Sequence, residues 1–548
     1  MTNFRMKLRI AAIAATAFIC CLSCVDVNNQ IGGNLVPNYQ TYNIFTAEAP
    51  IEDVSMRMAD SLSGYSSKRI TIGALRDSEY GLTTRSCAIT MVPLFVDKLD
   101  FGKDPKFKRM IFQVAKDTTC VENPTQEAIF QNVNVYELAR PIDNNKDSDC
   151  NSTIPHLGER ITRGRPVYNG SDSLTFYFSE EFGKRFLELK NDDVKDIKTY
   201  FKKFPGIYID MDTPRGEGGR INLFKLQIGY NSDNAYITGN YAVLNYEAEY
   251  KGVRKDTTMV FLLGAYDFND VDSLFTKTAT YPQYCLNYTG HETRSRAGKA
   301  GETISIEGGG GLKPFIAAKD LKHLAENMIA ATGNDPRKAV INKATIVFPF
   351  EFPEDYKEVD NFWPDYLSPT SRIVTDTTTI FSSLSDSSSS DENQGDINRS
   401  LCHYAPDITY HMQQILNIKE DDPNARSTKQ FNKGMYDVWF LIMSKEVTVQ
   451  RQQTNSDLSE YYNYLAYQSY YGSMYGGYGG YGGYGGYGNQ YTNYYNYMMM
   501  AQYASANSSY ESVSVELDKD RFYRASLNGP AGSGDVPTLK LVFSIPKE

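Results

Sequence analysis

FKRMIFQVA, residues 107–115, and NKATIVFPFEF, residues 342–352, decide how this chain is built. In both, apolar side chains recur with period two, the signature of an extended strand with one buried face. Neighbouring runs repeat the pattern: KRITIGAL (68–75), CAITMVPLFV (87–96), NVNVYELA (132–139), SLTFYF (173–178), GIYIDMD (206–212), RINLFKLQIGY (220–230) and NYAVLNYEAEY (240–250). Gly, Asn and Asp separate them. Short alternating runs at close spacing predict an antiparallel sandwich. An aromatic content of 13% points the same way.

Two helices interrupt the first half. Ser179 is placed to cap one through Lys190, and Asn191 or Asp192 a second through Lys203. Phe182, Phe186 and Leu189 share a face, as do Val194, Ile197, Phe201 and Phe204. Pro205-Gly206 ends the pair. The second half repeats this grammar. DITYHMQQILN (407–417) supplies a helix with Ile408, Met412 and Ile415 on one side, and DVWFLIMS (437–444) is the next strand. In each half about 26 residues separate helix start from strand. NYAVLNYEAEY closes the first half and TLKLVFSIP (538–546) the second.

The expected fold is therefore mainly β: two antiparallel β-sandwich or jelly-roll-like domains, each with a short helical element. The first spans 46–255 and the second 338–548. A linking region, 256–337, carries EGGGGLKPF (307–315) and an amphipathic helix from Lys319 to Ala331. A Ser- and acid-rich loop at 382–396 is expected to be solvated.

The N-terminus gives the address. Arg5, Lys7 and Arg9 precede an apolar core from Ile10 to Leu22. That core is shorter than the roughly 20 residues of a spanning helix. It reads as an export signal over residues 1–23. Leu22-Ser23-Cys24 resembles a bacterial lipobox, with Cys21 departing from the usual branched residue. Cleavage before Cys24 would leave that residue acylated, and several acyl chains hold a protein stably on a bilayer. Residues 24–45 then form a short polar tether. The expected location is the outer membrane, lipid-anchored, on its surface or periplasmic face.

The formal net charge of -10 becomes about -13 once three basic signal residues are removed. Such a charge argues against nucleic acid as a partner. The chain has 8 cysteines. After Cys20, Cys21 and Cys24, five remain in the body: Cys87, Cys120, Cys150, Cys285 and Cys402. An oxidising compartment permits disulfides, and Cys120 with Cys150 is the favoured pair against a reading as small buried hydrophobes. No CxxC suggests zinc or redox work.

YGGYGGYGGYG (478–488) sits within a Tyr-, Gly-, Asn- and Ser-rich tract, 461–503. It lies between DVWFLIMSKEVTV and SVSVELDKD, so it is an excursion from a hairpin. No Lys or Arg occurs between Arg451 and Lys519, which removes the electrostatic half of nucleic-acid binding. Either it is a mobile loop under weak demand, or its rings, among them Tyr478, Tyr481, Tyr484 and Tyr487, stack on a sugar or a protein partner.

No catalytic residues, metal site or cofactor are expected. HExxH, GxSxG and a P-loop are missing. Asp210 and Asp212 share a strand face, so a carboxylate-dependent hydrolase is the last alternative. DNNKDSDCNS (143–152) has the acid spacing of a calcium loop without its closing Glu. His403 and His411 lack a third ligand.

IGGNLVP (31–37), IGALRDSEYGLTTRSCAITM (72–91), NVYELARPI (134–142), FKKFPGIYI (201–209), INKATIVFP (341–349), YAPDITYHMQQIL (404–416) and NGPAGSGDVPTLKLVFS (528–544) together resemble the Bacteroidetes lipoproteins of domain-of-unknown-function family 4270. The resemblance implies a surface or outer-membrane lipoprotein and no activity. The expected function is a non-enzymatic binding or scaffold component of an outer-membrane complex, with a barrel protein as partner. The alternative is a glycan-binding surface lipoprotein.

Overall fold

The computed structural model describes residues 42–547 except 96–97, 123, 144–145, 227, 232–235, 269–282, 376–378, 387–393 and 451–509. The protein is mainly β, 48% strand and 17% helix, and its sheets are antiparallel. The signal, most of the tether and the Tyr/Gly tract lie outside the described residues.

The strands that build the two halves are, in chain order, β1 (Tyr42–Pro50), β2 (Val54–Met58), β3 (Arg69–Asp77), β4 (Gly81–Ile89), β5 (Lys103–Cys120) and β6 (Gln131–Leu138). Helices α1 (Glu180–Leu187) and α2 (Ile197–Lys203) come next. They are followed by β7 (Ile207–Met211), β8 (Gly218–Lys225), β9 (Tyr241–Tyr250), β10 (Val253–Leu263) and β11 (Cys285–His291). The chain continues with β12 (Thr303–Glu307), β13 (Leu312–Ile316), α3 (Ala318–Ala331), β14 (Val340–Pro349) and β15 (Tyr366–Val374). It ends with α4 (Thr409–Leu416), α5 (Arg426–Asn432), β16 (Val438–Gln450), β17 (Tyr510–Leu517), β18 (Arg524–Asn528) and β19 (Thr538–Pro546).

The pairings occur twice. In the first unit β3 pairs β8, β4 and β6 flank β7, and β5 pairs β9. In the second, β12 pairs β18, β13 and β15 flank β16, and β14 pairs β19. Helix α1 packs on β5 as α4 packs on β14. The duplicated grammar of the sequence is thus a duplicated pairing scheme.

The last two strands of each scheme differ in where the chain supplies them. In the first unit β10 pairs β9 and β11 pairs β4, continuing straight on. In the second, the equivalent partners of β19 and β13 are β1 and β2, from the N-terminus. The second unit is a circular permutation, and the first unit is inserted after its opening two strands. This redraws the expected boundaries. Residues 42–58 belong to the second unit, not to a tether or to the first domain. Residues 256–337 are not a linker, because they hold most of β10, then β11, β12, β13 and α3. The Gly-rich spacing there disguised strands that are short and buried.

Local signals behave as their chemistry requires. Ser179 accepts from Phe182 N and caps α1, which stops at Leu187 rather than Lys190. Asp196, not Asn191 or Asp192, caps α2. Phe182, Phe186, Leu189, Val194 and Phe204 enter one core. Ile408, Met412 and Ile415 enter the other, with Leu321, Ala325 and Met328 of α3. That second core also takes Leu75, Ile221 and Leu223 from the first unit, so the units share apolar surface.

Candidate functional site

The seam between the units is rich in buried polar side chains, among them Arg85, Asn287, Thr289, Glu307, Lys313, Asp518 and Asp520. Along the β4–β11 ladder, Cys87 faces Asn287, Arg85 faces Thr289 and Thr83 faces His291. Side chains two apart share a face, so this row points as one set at the second unit. Its counterparts are the glycine turn between β12 and β13 and the turn between β17 and β18.

The contacts are specific. Asn287 Nδ2 donates to Asp520 at 2.9 Å, and Ser66 Oγ donates to the same carboxylate at 2.6 Å. His291 Nδ1 meets Glu307 Oε1 at 3.2 Å, and Thr293 and Leu312 N also donate to Glu307. Burial opposes ionisation of Glu307, but these hydrogen bonds outweigh it and bring its carboxyl down to about 2. Lys313 Nζ donates to the carbonyls of Glu307, Gly309 and Gly311 and so clips the turn. Burial lowers the Lys313 amine to about 7. Arg524 pairs with Asp77, and Arg69 bridges Asp117 to Glu446.

The turn must be glycine because neighbours press on it. A Cβ at Gly308 would lie 2.8 Å from both Arg521 O and Tyr523 N. At Gly310 it would collide with the Asn151 amide, and at Gly311 with Glu307. EGGGGL is thus a close-packed joint rather than a flexible connector.

A shallow surface pocket of about 210 Å³ opens elsewhere on the second unit, lined by Ser371, Ser382, Ser383, Gln414, His411 and Tyr436 among others. Part of the expected solvated loop builds its wall. Ser382 and Ser383 pair with β15, and Asp386 accepts the backbone N–H groups of Tyr410 and His411. The loop expected to be solvated over 382–396 keeps Ser382, Ser383 and Ser385 exposed but is tied down at both ends, with Leu367 N donating to Gly395 O and Ile397 N to Asp365 O at its far side; residues 387–393 lie outside the described residues.

The remaining candidate residues have structural partners of their own. Cys120 and Cys150 are not joined; each is a free thiol. Cys150 packs in a small cluster with Ala59, Leu62 and Leu441, while Cys120 borders the second core beside Phe522 O. Burial pushes both thiols up to about 11. Spacing suggested a bridge because it carries no information on which strand each cysteine joins. Asp210 and Asp212 do share a face, as expected. Asn134 donates to both, and Asp212 also takes Asn132 and Arg165. Burial pushes Asp210 up, whereas hydrogen bonds and Arg165 overcome burial and hold Asp212 down. In the 143–152 stretch, Asp147 is bound by Arg140 and Asp149 caps Asn151. No group of three metal-ligating side chains converges among the described residues. His411 Nε2 donates to Tyr436 O at 2.8 Å, apart from His403 in its own strand. Cys24, Tyr478, Tyr481, Tyr484 and Tyr487 lie outside the described residues.

The seam went unread in the sequence. Its one visible signal was the run of four glycines beside a lysine, which reads equally as a turn in solvent. No helix among the described residues is long and apolar enough to cross a membrane. Comparison with family models, with curated proteins and with solved structures gives no match to this chain.

Proposed function

We propose that the chain is a lipid-anchored scaffold or binding protein of the outer membrane, held at Cys24 and acting without catalysis. It presents its Tyr/Gly tract to a protein partner of the β-barrel class. One observation carries this reading. Strands β16 and β17 pair without a break from Met443↔Leu517 to Gln450↔Tyr510, and the whole tract connects their ends. The base of this hairpin is fixed to the first unit by Arg69 on Glu446 and Lys68 on Glu516. A segment rich in tyrosine, at the end of a braced ribbon, suits recognition, because aromatic rings are enriched at interface centres.

The experiment is affinity purification of the full chain from detergent extract, beside a chain lacking 461–503. A barrel protein recovered with the first and lost with the second supports the proposal. Equal recovery with both, or none with either, refutes it. The anchor is tested separately. Cys24→Ala should move the protein from the membrane to the soluble fraction, and retention would rule out the tether.

A second reading, glycan binding, is favoured by the pocket, where serine hydroxyls and glutamine amides gather beside the Tyr436 ring. Hydroxyl-rich ligands pair with such groups. A glycan array that gives no signal with the wild-type chain, or the same signal with Tyr436→Ala, decides against it.

A further inference from the structure

Arg85 lies in the middle of β4 with 1% of its surface exposed. Its Nε, Nη1 and Nη2 are buried, and none meets a hydrogen-bond acceptor among the described residues. A guanidinium stays protonated in proteins, so it cannot escape burial by neutralisation. An unpaired buried charge costs several kcal/mol.

The nearby anionic groups are committed elsewhere. Glu307 takes Thr293, Leu312 N and His291. Asp518 takes Arg521 and Tyr523, and Asp520 takes Ser66 and Asn287. Cys150 also faces the guanidinium, but its raised thiol brings no charge at neutral pH.

The surroundings restrict what could balance the charge. The guanidinium packs against Gly309, whose φ is +58°, and a Cβ there would collide with Nη1. His291 Nε2 is a second buried nitrogen with no partner. It sits two residues beyond Thr289, the residue opposite Arg85, on the same face of the ladder. An anion beside it would favour the protonated ring and turn Nε2 into a second donor. The corner is crowded: even a Cβ at Gly309 would overlap Arg85 Nη1 and lie 2.8 Å from Thr289 Cγ2, which suits a single atom rather than a branched oxyanion.

We propose that Arg85, backed by His291 and the glycine turn 308–311, forms a buried site for a monatomic halide that ties the two units together. A ligand that binds only the folded state raises stability by mass action. The test is thermal unfolding of the full chain in sodium chloride and in sodium gluconate at equal ionic strength, for wild type and Arg85→Met. The expected result is a wild-type Tm about 3 °C higher in roughly 100 mM chloride, and coincident curves for Arg85→Met. Coincident wild-type curves, or a chloride shift that survives in Arg85→Met, overturn the proposal. Should Arg85→Met fail to fold, bromide-soaked wild-type crystals decide. An anomalous peak within about 3.5 Å of the guanidinium upholds the site; ordered water alone there overturns it.

Discussion

Replacing residues 451–509 by a four-residue turn tests whether the Tyr/Gly tract is an appendage of the fold. Strands β16 and β17 are in register up to Gln450↔Tyr510, so a short turn can join them without moving either. Closing a flexible loop costs about (3/2)RT ln n. Shortening about 60 residues to four therefore lowers the closure cost by about 2 kcal/mol. The hairpin keeps its eight paired positions and its ion pairs to Lys68 and Arg69. The shortened chain should unfold at a higher urea midpoint with an unchanged far-ultraviolet circular dichroism spectrum. The assay is equilibrium urea denaturation of both chains in the same detergent, followed by tryptophan emission from the buried Trp439 and Trp363. A lower midpoint, or loss of the cooperative transition, would show that the tract packs on the body. The tract could not then be a segment presented to a partner.

The other predictions are local. His411 is buried with its ring on Tyr436 O, and burial lowers it to about 4. The unfolded chain takes up a proton near pH 6.5 while the native state does not. Stability is therefore full above pH 6.5 and declines by about 3 kcal/mol as pH falls to about 4; urea midpoints across this window should flatten in His411→Gln. Ser179→Ala should cost about 1 kcal/mol, because the hydroxyl accepts from Phe182 N, and thermal melting checks it; an unchanged Tm counts against the cap. Cys120 and Cys150 should both take up an alkylating reagent in denaturant without reductant. Mass spectrometry that finds them joined instead would contradict the free thiols. Gly308→Ala drives a methyl group to 2.8 Å from Arg521 O and Tyr523 N; it should destabilise the chain by more than Gly301→Ala, where a Cβ meets nothing within 4 Å.

The parts of the fold that could be read from sequence were those fixed by local patterns. Alternation in FKRMIFQVA puts Met110, Phe112 and Val114 in the core, and three-to-four spacing puts Phe182 and Phe186 there too. Such patterns are set by residues a few positions apart, within one strand or one helical turn. Even the doubling was legible, because both helices precede a strand by a similar interval. Pairing partners were not legible. Nothing in YNIFTAEAP (42–50) says that its partner is TLKLVFSIP (538–546), yet the two match from Tyr42↔Pro546 to Pro50↔Thr538. The seam was hidden for a related reason. Arg85 stands among Thr83, Thr84 and Ser86, and Asn287 alternates with Leu286 and Tyr288, so local pattern places both on a polar face; Asn287's partners Thr71 and Asp520 lie more than 200 residues away.

The permuted order has a consequence for how the two units depend on each other. The first unit has all its strands between residues 65 and 291 in one run of chain. The second cannot close until its last strand exists, since β19 lies between β1 and β14. Until then β1 presents an unpaired edge whose inward residues, Phe45, Ala47 and Ala49, are only partly covered even in the finished fold. Contacts of such long sequence separation are slow to form, and an exposed edge is a template for wrong pairing. The polar row on β4 and β11, with Arg69 of β3, offers the second unit a surface built from one run of chain. Glu307 must find His291, Asp520 must find Asn287 and Glu446 must find Arg69. Only one register satisfies all three, because each buried charge must meet its own partner. The seam therefore does more than join two finished bodies: it specifies where β12, β16 and the turn between β17 and β18 must lie relative to the first unit.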